Sequence, residues 1–370
     1  MANYPFTTIE PSTGVAYVKT DCVCKELEIK DSPVNSICTN NQRLIPIKIV
    51  DIAGLVPGAS KGRGLGNKFL DDIRQADVLI HVIDLSGKTD EEGRILTNKK
   101  RNPIKDITMI ETELDNWIYD IINKDWDQIG RTSTGDKKKF INLLSNKLSG
   151  LSINQNHITN AINKSELTTK NITEFNTEEK MRLVSELRRI SKPIVIAGNK
   201  IDLADIEDYN KIKDSGREII PTASEAELLL RRASENSIIQ YIPGSNEYIV
   251  NESKKITNQQ MNALETVKKQ ILEKWENTGV QRVLNFAFYN LLDMITVYPV
   301  EDENKYTNKK GNVLPDAYLL KNSSTTKDLA FKIHSEIGEK FLYAIDARTK
   351  KRLSNEYVLK NNDIIKIVST

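Results

Sequence analysis

The 370-residue sequence has no excess of either charge: 53 Lys and Arg stand against 51 Asp and Glu, a net charge of +2. That balance speaks neither for nor against nucleic acid, so any contact with RNA needs a local basic patch. Cysteine is scarce, three in the whole chain, which argues against a disulfide scaffold and for a reducing compartment. No apolar run is long enough to span a bilayer, and residues 1–20 lack the basic-then-apolar pattern of a secretory signal. The expectation is a soluble, cytoplasmic protein with no membrane partner. What is present suffices for buried cores: 39% hydrophobic residues with 28% charged ones is not the composition of a disordered chain. The length is too great for one ordinary domain and enough for two or three.

The chain is organised around IPIKIVDIAGLVPGASKGRGLGNKFL, residues 45–70. It begins as an apolar, β-branched run that reads as a buried strand and breaks at Asp51-Ile52-Ala53-Gly54. A carboxylate at the end of such a strand, with a glycine three residues on, suits a Mg²⁺–nucleotide site. The carboxylate reaches the metal's water shell, and the glycine lets a backbone N–H approach a terminal phosphate. Alone, D-x-x-G is a weak signal, equally compatible with a helix cap and a turn.

Upstream, NYPFTTIEP places Thr7 and Thr8 in an extended, proline-bounded segment before a short strand at residues 14–18. An ordinary loop explains it; a switch loop whose hydroxyl reaches a metal gains weight because D-x-x-G follows. Between residues 19 and 44 lie Cys22, Cys24, Cys38 and Asp31, a set able to form a metal site. With no second C-x-x-C pair and no nearby histidine, loosely packed thiols are the preferred reading.

After the glycine-rich segment, DVLIHVIDL (residues 77–85) reads as another buried strand, with His81 as a satisfied core or edge histidine. From Asp106 the pattern is helical: Ile107, Ile110, Leu114, Trp117, Ile118 and Ile121 recur at helical spacing. Residues 101–190 are expected to be a helical insertion, with Trp117 and Trp126 in its core and Lys137 to Lys139 in a solvated turn. KPIVIAGNKID (residues 192–202) then returns to the buried-strand pattern and ends in Asn199-Lys200-x-Asp202; after the next strand comes Thr222-Ala223-Ser224-Glu225.

The chemistry of N-K-x-D is specific. Guanine offers N1–H and an exocyclic amine, both of which one carboxylate can accept. Asn199 can bond the ring edge or brace the next loop, and the Lys200 stem can stack on the base. Adenine presents the opposite pattern and leaves Asp202 unpaired. With D-x-x-G upstream and T-A-S-E downstream, a capping Asn with a surface Asp becomes the poorer reading, and a guanine-nucleotide fold is expected. Beyond Asp293, strands surround one amphipathic helix expected to run to Gly338, which suggests a β-grasp module. His334 falls on that helix and reads as surface or packing.

NYPFTTIEP, the glycine-rich segment after D-x-x-G, NKID, SEAELLLRRA and VYPVEDENKYTNKKGNVLPDA together resemble the Obg-related GTPases, in particular the YchF or Obg-like ATPase subfamily in its archaeal-type form. The resemblance spans almost the whole chain. It implies an α/β, Ras-like P-loop NTPase G domain (residues 1–100 and 191–292), the helical insertion, and a C-terminal TGS domain of β-grasp type (residues 293–370). It implies GTP and GDP as ligands, Mg²⁺ as cofactor, slow hydrolysis, and a ribosome or RNA as partner, with no DNA expected. Thr8 would be the switch I Mg²⁺ ligand beside Thr7, and Asp51 and Gly54 the switch II pair. Asn199, Lys200 and Asp202 would read the base, with Ser224 and Glu225 behind it. Some relatives prefer ATP with an altered base motif; the intact Asp202 favours GTP.

Two departures bear on activity. Leu55 follows Gly54 where many GTPases carry a water-positioning Gln, so hydrolysis is expected to be slow or to need help from elsewhere. The second is the lack of any G-x-x-x-x-G-K-[ST]; GRGLGNK (residues 62–68) has the wrong spacing. In a Ras-like fold the strand carrying that loop lies between those bearing DIAG and DVLIHVIDL, so its loss should leave two unpaired central edges. The expectation is an N-terminally truncated reading of a longer gene, to be checked by sequencing upstream of Met1. The alternatives are a degenerate G protein serving as a ribosome- or RNA-binding scaffold without turnover, or an ATP-preferring family member.

Overall fold

The computed structural model describes residues 12–52, 72–89, 94–96, 100–133, 135–167 and 172–370. Thr7, Thr8 and Gly54 lie outside them. The chain forms two compact units, one of residues 1–12 and 50–283, the other of residues 13–49 and 284–370.

In the second unit, β1 (Ser12–Asp21), β2 (Ile37–Thr39) and β3 (Gln42–Asp51) form a sheet in the order β1-β3-β2. A two-residue turn closes the β2–β3 hairpin. Its residues Asn40 and Asn41 both have positive φ, 50° and 62°, the backbone that matches strand twist and that Asn tolerates. The last residues of β3, Val50 and Asp51, belong to the first unit.

The first unit holds a parallel sheet of β4 (Leu79–Asp84), β5 (Ile194–Asn199) and β6 (Ile219–Pro221) in that order. Apolar residues on both faces of β5 explain its near-complete burial, as expected for a strand covered by helices. Helices Ile104–Asn123, Lys137–Leu148, Gln155–Lys164 and Thr177–Ser191, between β4 and β5, share one core. Leu114, Ile118, Ile122, Leu144, Leu148, Ile158, Leu183 and Leu187 fill it. Trp126 lies there against Phe140 and Phe175, and Trp117 is buried nearby, so both are core residues as read. Lys137 to Lys139 are not a turn: they open a helix because Asp136 accepts hydrogen bonds from the N–H groups of Lys138 and Lys139. His81 on β4 is not satisfied: its Nδ1 is buried without a partner, and burial lowers its pKa to about 4. A small antiparallel pair, β7 (Ile239–Gln240) and β8 (Ile249–Val250), packs beside this sheet's core.

The remaining strands are β9 (Met294–Val300), β10 (Tyr318–Lys321), β11 (Phe341–Asp346), β12 (Arg352–Leu353) and β13 (Asp363–Ser369), in the order β10-β9-β13-β11-β12. β13 runs parallel to β9 and the other pairings are antiparallel. With helix Thr326–Ile333 packed through Leu329, this is the expected β-grasp module. The helix does not reach Gly338. It breaks at His334, which turns extended (φ −162°) and caps a second short helix, Ser335–Glu339, by accepting from the Glu336 N–H through Nδ1. Gly338 fits against the Phe331 ring, where a Cβ would come within 2.4 Å.

One expectation about the sheet changes. A Ras-like fold would carry the DIAG and DVLIHVIDL strands in one sheet, yet among the described residues β3, which ends in Asp51, pairs only with β1 and β2, and β4 only with β5. Both strands carry exposed apolar residues, Ile49 and Val50 on β3 and Val82 on β4. Exposed apolar residues of this kind mark strand edges that pair with nothing further among the described residues. No helix among the described residues is long and apolar enough to cross a membrane.

Candidate nucleotide-binding site

The site grows from the C-terminal end of β5. Gly198 lets Ile219 Cδ1 and Leu85 Cδ2 approach to 3.1 Å of where a Cβ would stand, so β5 seats closely between its neighbours. Asn199 ends the strand, and Lys200 turns the chain with a left-handed backbone (φ 62°) into the short 3₁₀ turn Ile201–Leu203. A non-glycine residue in that region costs about 1 kcal/mol or more and persists where its surroundings hold it. Here they do: Leu85 N–H donates to the Asn199 carbonyl at 3.0 Å and Ile201 N–H to the Thr222 carbonyl at 3.1 Å.

The T-A-S-E turn locks onto the same loop. Thr222 N–H donates to the Gly198 carbonyl at 2.8 Å, and Asn199 Oδ1 accepts from the Ser224 N–H at 3.0 Å. Of the two roles open to Asn199, the structure shows the brace. Ser224 begins helix Ser224–Glu235, and Glu225 is exposed in its first turn. A third segment closes the cluster: Ala223 N–H donates to the Thr278 carbonyl. Gly279 beside it has φ +78°, and a Cβ there would stand 1.9 Å from the Pro221 carbonyl oxygen. Only glycine meets both demands.

Two charged groups hold this scaffold and were not foreseen. Asp84, at the end of β4, accepts from Lys200 Nζ at 2.8 Å, from the Ser86 N–H and hydroxyl, and from Thr89 Oγ1. Burial pushes its pKa up, but the Lys200, Ser86 and Thr89 donors prevail and hold it below the usual carboxylate range. Lys200 is thereby fixed at its ammonium end. Glu227, buried, accepts from Arg231 Nε, Tyr241 Oη and Thr278 Oγ1, tying the helix to the Thr278–Gly279 segment. Burial, and then the Glu227 charge, push the Tyr241 phenol upward. The signal for Asp84 was readable: like Asp51, it is a carboxylate ending an apolar strand. Nothing local marks Glu227.

Asp202 differs from all of these. Its carboxylate is exposed and has no hydrogen-bond partner among the described residues, while the backbone beneath it is fixed. The arrangement is a preformed rim that leaves the Asp202 carboxylate uncommitted, as it does the exposed Glu225 on the neighbouring helix. Asn199, Lys200, Asp202, Ser224 and Glu225 are thus brought into one loop cluster. Asp51 is exposed at the end of β3, in the other sheet, and engages a partner of its own. As a hard oxygen donor it fits Mg²⁺.

Comparison with known proteins agrees with this geometry. Residues 1–119 match the family described as 50S ribosome-binding GTPase, and residues 197–302 the G4 motif-containing domain of Obg-like, YGR210-like GTPases. Residues 304–369 match the TGS domain. An uncharacterized GTP-binding protein of Methanocaldococcus jannaschii is 48% identical, over all of this chain and 92% of that one. The ribosome-binding ATPase YchF of Bacillus subtilis is 27% identical, over 98% of this chain and 90% of that one. The crystal structure of a GTP-binding protein from Pyrococcus horikoshii, 39% identical, superposes with a TM-score of 0.76 over 97% of this chain and 93% of that one. A G domain joined to a TGS domain, with this degree of identity along the whole length, settles the relationship: the chain belongs to the YchF/Obg-like GTPase family.

Proposed function

We propose that the chain is a guanine-nucleotide switch that hydrolyses GTP slowly and signals to the ribosome. The observation that carries this reading is Asp202: an exposed, unpartnered carboxylate on a loop that Asn199–Ser224 and Lys200–Asp84 hold rigid. Bound guanine gives that carboxylate its N1–H and exocyclic amine, two charge-assisted bonds that adenine cannot supply. Asn199 keeps the T-A-S-E turn behind the base, and Lys200, held at its ammonium, presents its stem to the ring. Thr8 and Asp51 would hold Mg²⁺, which supplies charge neutralisation at the terminal phosphates. Leu55 cannot orient a water molecule, which supports slow turnover.

The domain reading goes with this function. Residues 1–100 and 191–292 bind nucleotide, the 101–190 helices form an inserted arm, and residues 293–370 form the module that carries the signal outward. The ribosome as partner is supported by the family matched at residues 1–119 and by the description of the Bacillus subtilis relative. That relative is described as an ATPase, which makes ATP the second candidate; the intact Asp202 favours GTP.

Fluorescent-nucleotide titration tests the reading. Saturable, Mg²⁺-dependent binding of GTP in preference to ATP is expected. No saturable binding of either nucleotide, with cosedimentation on ribosomes retained, identifies a scaffold without turnover instead.

A further inference from the structure

The nucleotide site leaves the three cysteines of the chain unused, and the fold brings all of them together. Cys22 follows β1, Cys24 lies in the one-turn helix Val23–Glu26, and Cys38 is on β2. Asp31 comes from the loop between. The Cys22 N–H donates to the Asn41 carbonyl at 2.8 Å, pinning the cysteine turn onto the tight Asn40–Asn41 hairpin, and the Ile29 N–H donates to the Cys24 carbonyl at 3.1 Å. The three Sγ atoms and a carboxylate oxygen of Asp31 all lie within 4.8 Å of one another.

We propose that Cys22, Cys24, Asp31 and Cys38 bind a structural zinc ion. The distances fit a tetrahedral shell. With Zn–S near about 2.3 Å and Zn–O about 2.0–2.2 Å, such a shell places its sulfurs about 3.8 Å apart and sulfur and oxygen about 3.5 Å apart. Cys24 and Cys38 have their sulfurs 3.8 Å apart, and Cys22 Sγ lies 3.3 Å from Asp31 Oδ2. Four protein ligands close the shell, the arrangement of a structural rather than a catalytic site. Three soft thiolates exclude Mg²⁺ and Ca²⁺, which take oxygen ligands, and favour zinc among common divalent ions.

The surroundings are built for the negative charge of such a centre. Arg43 is fully buried, and its Nη2 donates to Asp31 Oδ2 at 2.9 Å and to the Leu314 carbonyl, while Nη1 donates to Ser36 Oγ. Its guanidinium lies 5.4 Å from the centroid of the Tyr298 ring. Without metal Arg43 is balanced by Asp31 alone; with three thiolates and that carboxylate on Zn²⁺ the centre carries a net −2, of which the same guanidinium offsets one charge. The Tyr298 hydroxyl is buried with no hydrogen-bond partner, an available donor beside Cys22.

The purified 370-residue chain, prepared with reductant and dialysed against metal-free buffer, is assayed for metal by mass spectrometry. About one zinc per chain is expected, and Co²⁺ exchanged into the site should show thiolate-to-cobalt charge transfer with strong tetrahedral d–d absorption. Cys22→Ser, Cys24→Ser and Cys38→Ser should each reduce bound zinc at least about tenfold, whereas Asp31→Cys, which completes a Cys₄ set, should retain it. The proposal is overturned by wild-type chain that holds no zinc, gives no cobalt–thiolate band and shows three freely titrating thiols. Zinc content indifferent to the cysteine changes overturns it equally.

Discussion

Replacing Asp202 with asparagine separates a guanine-reading loop from an ordinary surface turn. The carboxylate is exposed and unpaired in the free chain, so the substitution removes no intramolecular bond and should leave folding intact. Its cost appears only with nucleotide. Asparagine keeps one acceptor oxygen but sets an amide donor against a guanine donor, so one charge-assisted bond is lost outright. Such bonds contribute about 1.5–3 kcal/mol, and discounting for the exposure of the site leaves about 2 kcal/mol, roughly a thirty-fold loss of GTP affinity. ATP makes no such bond, so its affinity should barely move. Xanthine carries a carbonyl where guanine has the amine, so the new amide should bind XTP better than wild type does. Titrations with GTP, ATP and XTP at fixed Mg²⁺ read all three effects. An unchanged GTP-to-ATP ratio in Asp202→Asn refutes the base assignment.

Three further outcomes follow from the structure. Asn199→Ala leaves the Ser224 N–H without its acceptor and should cost about 1 kcal/mol of stability, seen in urea unfolding, together with a loss of GTP affinity. Gly279→Ala combines a left-handed alanine with a clash on the Pro221 carbonyl; a loss of about 2 kcal/mol or more, several degrees in Tm by calorimetry, is expected. His81 is neutral in the folded chain because burial lowers its pKa to about 4, which Glu111 opposes only in part, whereas an unfolded histidine titrates near about 6.5. Its contribution to stability is therefore complete above about pH 6.5 and is lost as the pH falls toward 4, by about 2 kcal/mol at pH 5. Urea unfolding at pH 7 and pH 5 should show wild type losing more than His81→Leu.

Much of the site was legible because its signals are local. N-K-x-D and T-A-S-E each follow an apolar run, and the run-then-turn pattern alone puts Asn199 at a strand end and Ser224 in the turn after one. Partners far apart in sequence were not legible: Lys200 reaches Asp84, 116 residues upstream, and Glu227 meets Thr278, 51 residues downstream. No periodicity records such pairs. The cysteine cluster was undervalued for a related reason. Spacing alone leaves Cys38 anywhere, and only the Asn40–Asn41 turn with the Cys22–Asn41 bond folds it back. Helix ends misled where a side chain decided them. Asp136 recruits Lys137 to Lys139 into a helix that composition assigned to a turn, and His334 stops one that Gly338 was expected to stop. The division into two sheets is a property of strand edges, visible only once pairing is known.

The account rests on the loop cluster of residues 199–203 and 222–225 being the place where guanine binds. Hydrogen-exchange mass spectrometry of the chain with saturating GDP and Mg²⁺, against ADP at the same concentration, tests this most directly. Protection by GDP, and not by ADP, is predicted in peptides covering those two segments. Equal protection by both nucleotides, or none there, contradicts it.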